Sequence, residues 1–164
     1  YEDGKQQPCV WRFPGVVDQW LVLSKIPHLF HCAATDAWMM KEFDYTKDAD
    51  VDQVRGAFFC VRRTLLEEIG LLDETFFMWY EEVDFAKRAQ DRGWRTRYFS
   101  HIFAIHKGGS SFEKVLTIQK QAMVRKSLRR YMRKHKGWGA GLLFTLCEPF
   151  FILLALAASI LKPR

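Results

Sequence analysis

From residue 140 to residue 161 the chain carries one charged side chain, Glu148, in 22 positions. As a continuous helix that run would measure about 33 Å, roughly the thickness of a bilayer's hydrocarbon core. Directly before it, residues 114–136 hold nine Lys and Arg and no acid, and neither Pro nor Gly interrupts residues 113–136. The two runs predict a basic helix over 113–137 followed by an apolar helical segment over 138–164. Pro149, beside Glu148, predicts a kink, so a tilted or interfacial helix stays open beside a spanning one.

Charge sharpens the division. The chain has a net charge of +6, but residues 1–113 hold 14 Lys and Arg against 18 acids, a net of −4. Residues 114–164 hold 11 Lys and Arg and one acid, a net of +10. A basic protein invites a nucleic-acid reading, yet here the basicity belongs to the tail alone. Cations flanking an uncharged stretch fit the positive-inside pattern and attraction to anionic lipid. The expected partner is therefore a membrane surface and not nucleic acid. The competing class is a non-enzymatic basic module that binds membrane or nucleic acid.

The 164 residues amount to about one domain and can bury a core. The four cysteines (Cys9, Cys32, Cys60, Cys147) show no CxxC pair or metal-finger spacing, which disfavours a disulfide framework and favours a reducing compartment. Cys60 and Cys147 lie in apolar runs, where a free thiol behaves as a small hydrophobe. The chain opens on Tyr1 without a signal peptide, and we expect it to be a piece of a longer protein.

Residues 1–50 read as loop-rich, punctuated by Pro8, Pro14 and Pro27, with short helical pieces near 20–23 and 37–41. Residues 44–52 read as a solvated acidic loop. The apolar run 56–61 reads as a buried strand. Thr64 and Glu67 stand at capping-box spacing before Leu65, Leu66 and Ile69, with Gly70 as the stop. A second helix is expected over 81–92, closed by Gly93, and strands over 94–99 and 102–106. Strand, helix, helix, strand is an α/β order.

Two places carry candidate chemistry. Glu81, Glu82 and Asp84 crowd the start of the second helix, where the dipole favours acids. Glu82 stands in register with Phe85, Ala86 and Ala89, so it shares the apolar face, where a carboxylate is costly without a partner or a polar cavity. Asp84 lies four residues before Arg88, and an ion pair explains it. The second place is His106-Lys107-Gly108-Gly109, after an apolar run, where a His beside a Gly-Gly loop can contact a metal or phosphate. The remaining histidines (His28, His31, His101, His135) read as structural or solvated.

Taken in order, Gly56-Ala57 with Arg62-Arg63, Gly70-Leu71-Leu72-Asp73-Glu74-Thr75-Phe76-Phe77-Met78, Glu81-Glu82-Val83-Asp84, Gly93-Trp94, and His106 with Gly108-Gly109-Ser110 resemble a known family. The set is similar to the C-terminal half of family 2 glycosyltransferases of GT-A fold, in the rhamnosyltransferase-like branch, over about residues 1–135. The resemblance implies the acceptor-side half of a catalytic domain over 1–112. It also implies inverting transfer of a sugar from a nucleotide-sugar donor to a hydroxyl of a saccharide or lipid-linked acceptor, in cell-surface polysaccharide synthesis.

In that family the second acid of the pair, here Glu82, would be the general base. The family usually has Asp at this position, so the longer Glu leaves Glu81 or Asp84 as alternatives. Gly56, Ala57, Trp79, Lys107, Gly108 and Gly109 fall at substrate-binding positions, and His106 at a ligand position for a divalent metal (Mg or Mn). The main metal ligands of the family come from a DxD motif in the N-terminal half. Asp48-Ala49-Asp50 has those letters in the wrong place, so this chain alone is expected to be inactive. Gln90-Asp91-Arg92-Gly93-Trp94 only partly resembles the QxxRW signature of processive members, which points to single-sugar transfer. The implied location is the cytoplasmic face of the cell membrane, the inner membrane in a bacterium.

Overall fold

A computed structural model of the chain describes residues 6–106 and 117–161. The elements run β1 (Val10–Trp11), α1 (Val16–Leu23), a 3-10 turn (Ile26–His28), α2 (Ala33–Trp38), β2 (Ala49–Val51), β3 (Gln53–Val54), α3 (Arg63–Ile69) and α4 (Glu81–Asp91). They continue with β4 (Thr96–Tyr98), α5 (Thr117–His135), α6 (Trp138–Leu146) and α7 (Glu148–Leu161). Two small antiparallel ribbons form, β1 with β3 (Val10 opposite Val54) and β2 with β4 (Asp50 opposite Arg97).

The main core gathers Val83 of α4, Leu128, Tyr131 and Met132 of α5, Phe144 of α6, Phe151 of α7 and the loop residue Phe76. Trp20, Phe13 and Leu23 pack against it from the N-terminal segment. Leu128, Tyr131 and Met132 stand at i, i+3 and i+4, so one stripe of α5 is apolar and faces inward. A second cluster joins Leu65 of α3 to Phe85 and Ala89 of α4, with Phe59, Val61 and Trp94 at its edge. Helix α4 thus sits between both clusters, and the basic and apolar tail segments share a core with α1 and α4.

Several expectations are corrected. The run 56–61 is not a strand: Gly56 and Ala57 turn directly after β3, and Phe58 and Cys60 are exposed. The run 102–106 is likewise irregular, with Ile102, Phe103 and Ile105 exposed. Among the described residues neither run pairs with a strand, and an apolar run becomes a buried strand only where a neighbour supplies hydrogen bonds and cover. Residues 49–51 lie in β2 rather than in an acidic loop, and β4 is the short centre of the strand expected over 94–99.

Helix α3 starts two residues early, with Arg62 as its N-cap and no side-chain cap bond, so Thr64 lies inside the helix and the capping box does not form. Gly70 closes α3 and Gly93 follows α4, both at positive φ (78° and 82°). The apolar tail is not one helix. It breaks at Cys147 between α6 and α7, which meet at 45°, and among the described residues no single helix is long and apolar enough to cross a membrane. Pro149 fits the first turn of α7, where its missing N–H has no intrahelical partner to lose.

The cations of α5 also differ from a free basic face. Arg125 and Arg129 clamp Glu148, Lys134 reaches Asp73 and Asp84, and Arg130 donates to the Thr75 carbonyl. Lys134 and Arg130 therefore tie the tail to the acidic body, while Arg125 and Arg129 hold α5 to α7.

Candidate functional site

The acidic cluster lies where the chain turns into α4. Trp79 and Tyr80 hold left-handed backbone conformations (φ 56° and 73°) on consecutive bulky residues. Such conformations cost on the order of 1–3 kcal/mol each and persist only where packing enforces them. Tyr80 shows the enforcement. Its hydroxyl donates to Gln19 Oε1 at 2.9 Å, and its ring meets Tyr131 at 5.5 Å between centroids. Burial pushes the Tyr80 phenol far above its ordinary range, so it stays a neutral donor.

This turn delivers Glu81 and Glu82 to the first turn of α4. Both are half-buried, and the Oε2 atom of each is buried without a hydrogen-bond partner among the described residues. A buried carboxylate oxygen without a donor is costly, and native proteins hold few of them. Burial raises the Glu81 carboxyl above its ordinary value, and the neighbouring Glu82 charge adds to the rise. Glu82 packs against the turn after β3. A Cβ placed on Gly56 would stand 3.5 Å from Glu82 Cβ and Cγ, in ordinary van der Waals contact.

Asp84, one turn further, has the opposite environment. It is fully buried, and its two oxygens receive Arg88 Nε (2.9 Å), Lys134 Nζ (2.8 Å) and His135 Nε2 (2.7 Å). Burial alone would raise its pKa, but the bonds from His135, Lys134 and Arg88 outweigh that and hold it below the ordinary value. Arg88 also donates to the carbonyls of Ile69 and Leu71, so the ion pair foreseen from spacing is the hub joining α3, α4 and α5.

A groove of 1140 Å³ opens beside the second core cluster. Ala57, Phe58, Phe85, Ala86, Phe103 and His106 are among its walls. His106 Nδ1 lies 2.9 Å from Gln7 Oε1. With Nδ1–H donated there, Nε2 keeps its lone pair, the form in which an imidazole ligates a metal. Among the described residues no three His, Cys, Asp or Glu side chains converge as a metal site, so His106 offers a single ligand.

The structure brings Gly56 to Glu82 and places Ala57 and His106 on one groove. Glu81, Glu82 and Trp79 are not among that groove's walls. Lys107, Gly108 and Gly109 lie outside the described residues. The Asp48-Ala49-Asp50 carboxylates are taken by structure: Asp48 Oδ1 accepts from Ser100 N (2.8 Å) and Oγ (3.0 Å), and Asp50 pairs with Arg95 and Arg97.

Sequence reasoning missed Gln19, Tyr80, Arg55 and the His135–Asp84 bond. Arg55 lines the groove, stands 5.1 Å over the Trp11 ring, and has a buried Nε without a partner among the described residues. Its place beside Gly56 was the one available signal. His135 carried none, because its partner lies 51 positions away.

No family model matches the chain, and no solved structure matches it. Over 56 residues the chain is 36% identical to the low-salt glycan biosynthesis hexosyltransferase Agl10 of Haloferax volcanii. The matched stretch makes up 34% of this chain and 18% of that protein, so the chain covers less than a fifth of the relative and is similar, in part, to a glycosyltransferase.

Proposed function

We propose that this chain is part of a glycosyltransferase that moves a sugar from a nucleotide-sugar donor to an acceptor hydroxyl. The similarity to a hexosyltransferase supports glycosyl transfer in general. The observation that carries the chemistry is the pair of half-buried carboxylates at the start of α4, each with a buried oxygen that lacks a donor among the described residues. The finer reading is an inverting, family 2, GT-A type enzyme acting on a saccharide or lipid-linked acceptor at the cytoplasmic face of a membrane. Its donor is held mainly by a nucleotide-binding half outside this sequence, without which the chain does not turn over.

In this reading Glu82 is the general base. The acceptor hydroxyl attacks the anomeric carbon, Glu82 takes its proton, and the bond to the diphosphate breaks with the electron pair leaving on the nucleotide. Beside Glu82, burial holds the Glu81 carboxyl above its ordinary value. The left-handed Trp79–Tyr80 turn fixes both carboxylates in place, and Asp84 is committed to holding α4 against α5. A bound Mg or Mn would neutralise charge on the leaving diphosphate. His106 fits as one ligand, because its Nδ1 bond to Gln7 orients the ring.

The test is Glu82→Gln in the complete protein. Transfer should fall by about 10²–10⁴-fold, the usual worth of a positioned base, while nucleotide-sugar binding persists. Near-normal turnover would remove Glu82 from the mechanism. His106→Ala should shift the metal titration of activity to higher concentration, and an unchanged titration would sink the ligand role.

A further inference from the structure

We infer that the α6–α7 pair is a wedge that enters one leaflet of an anionic bilayer and does not cross it. The inference rests on the membrane part of the proposed function and is independent of its sugar chemistry. The two helices have two faces. Phe144 and Phe151 are buried against the α5 core, and Gly141 lets α6 approach so closely that a Cβ there would stand 2.8 Å from Arg133 Cβ. On the opposite side Trp138 (75% exposed), Leu142, Leu146 (70%), Phe150 and Leu153 (66%) are in solvent. Trp138, Leu142 and Leu146 stand at i, i+4 and i+8, so they form one strip along α6. An exposed strip of this kind marks an interaction surface.

Three observations select lipid as the occupant and the leaflet as the depth. The helices have 9 and 14 residues, about 13 and 21 Å, and neither reaches the roughly 30 Å of a hydrocarbon core. Straightening the 45° break to gain length would pull Phe144 and Phe151 away from Tyr131 and Trp20. The only acid of residues 114–164, Glu148, is held at the break by Arg125 (3.0 Å) and Arg129, so the strip meets a negative surface without an uncompensated carboxylate. Arg133, stacked 5.7 Å over the Trp138 ring, and Lys136 are exposed at its edge, where anionic headgroups would lie.

The experiment has two arms on the complete protein. In flotation, vesicles of phosphatidylcholine with phosphatidylglycerol should carry the protein up the gradient. Leu146→Glu with Leu153→Glu should weaken that binding by about tenfold or more, since both sites are exposed and the fold tolerates them. In a cysteine-free background, His101→Cys and Arg164→Cys should each react with an impermeant maleimide from the same side of sealed cell-membrane vesicles. Flotation unaffected by the two glutamates would overturn the wedge, as would labelling from opposite sides, which means a span. A lipid-free dimer that the glutamates dissociate, without flotation of the native protein, would assign the strip to a second copy and overturn the membrane reading as well. Loss of flotation with sugar transfer to a soluble acceptor intact would leave the catalytic reading standing.

Discussion

Within one turn of α4 the protein builds two acidic places in opposite ways. Asp84 is fully enclosed and surrounded by Arg88, Lys134 and His135, which together offset the cost of its burial. Glu81 and Glu82, three and two residues earlier, are more accessible, yet each keeps a buried oxygen without a donor among the described residues. They are presented by a backbone turn of two left-handed aromatic residues. A folding site spends its polar groups on one another; a reacting site keeps some uncommitted for a partner that arrives later. The contrast separates the residue that holds α4 in place from the residues α4 holds out.

The contrast can be broken most decisively at Asp84. Asp84→Asn leaves Lys134 and His135 facing a neutral amide, and removal of one partner from a buried ion network costs about 3–5 kcal/mol. Urea unfolding should show that loss, and a change near zero would mean the network is not the hub. Acid should act in the same direction. The Asp84 carboxyl is held below its ordinary value, so its contribution is full above pH 3.8 and disappears as pH falls through the lowered folded value.

A smaller effect is expected at the tail's break. Glu148→Gln should cost about 1–3 kcal/mol, because Arg125 loses a charge-assisted bond while nearly buried. An unchanged unfolding midpoint would argue that the α5–α7 clamp is solvated.

Glu81 tests the other side of the comparison with the opposite sign. Its folded pKa is raised, so the native state binds the proton more tightly than the unfolded chain. Stability from that proton is present below pH 4.5 and is lost as pH rises through the raised value. Glu81→Gln should therefore stabilise the protein at neutral pH and match the native protein in acid. Destabilisation at neutral pH would show that Glu81 Oε2 has a donor. The smallest effect belongs to Gly56→Ala, within about 0.5 kcal/mol of the parent, since the added methyl makes ordinary contact with Glu82 in an exposed turn.

Helix α4 was legible in the sequence because an acidic first turn, a periodic apolar face and a glycine stop all agree there. Glu82 stood out because its register conflicted with its charge. The 56–61 and 102–106 runs were misread because an apolar run specifies burial and extension, while strand formation also needs a hydrogen-bonding neighbour. Both runs border one groove instead, Phe58 and Phe103 among its walls. The tail's basicity was visible, but its use was not: Lys134 and His135 find Asp84 only through the fold. The left-handed turn at Trp79–Tyr80 left no sequence trace, because no glycine marks it.

The most direct test sets Glu82→Gln beside Asp84→Asn in the complete protein, with sugar transfer and unfolding free energy measured on both. The account predicts that Glu82→Gln loses transfer and keeps its stability, while Asp84→Asn loses stability first. Equal losses of stability in the two variants, or full transfer in Glu82→Gln, would contradict it.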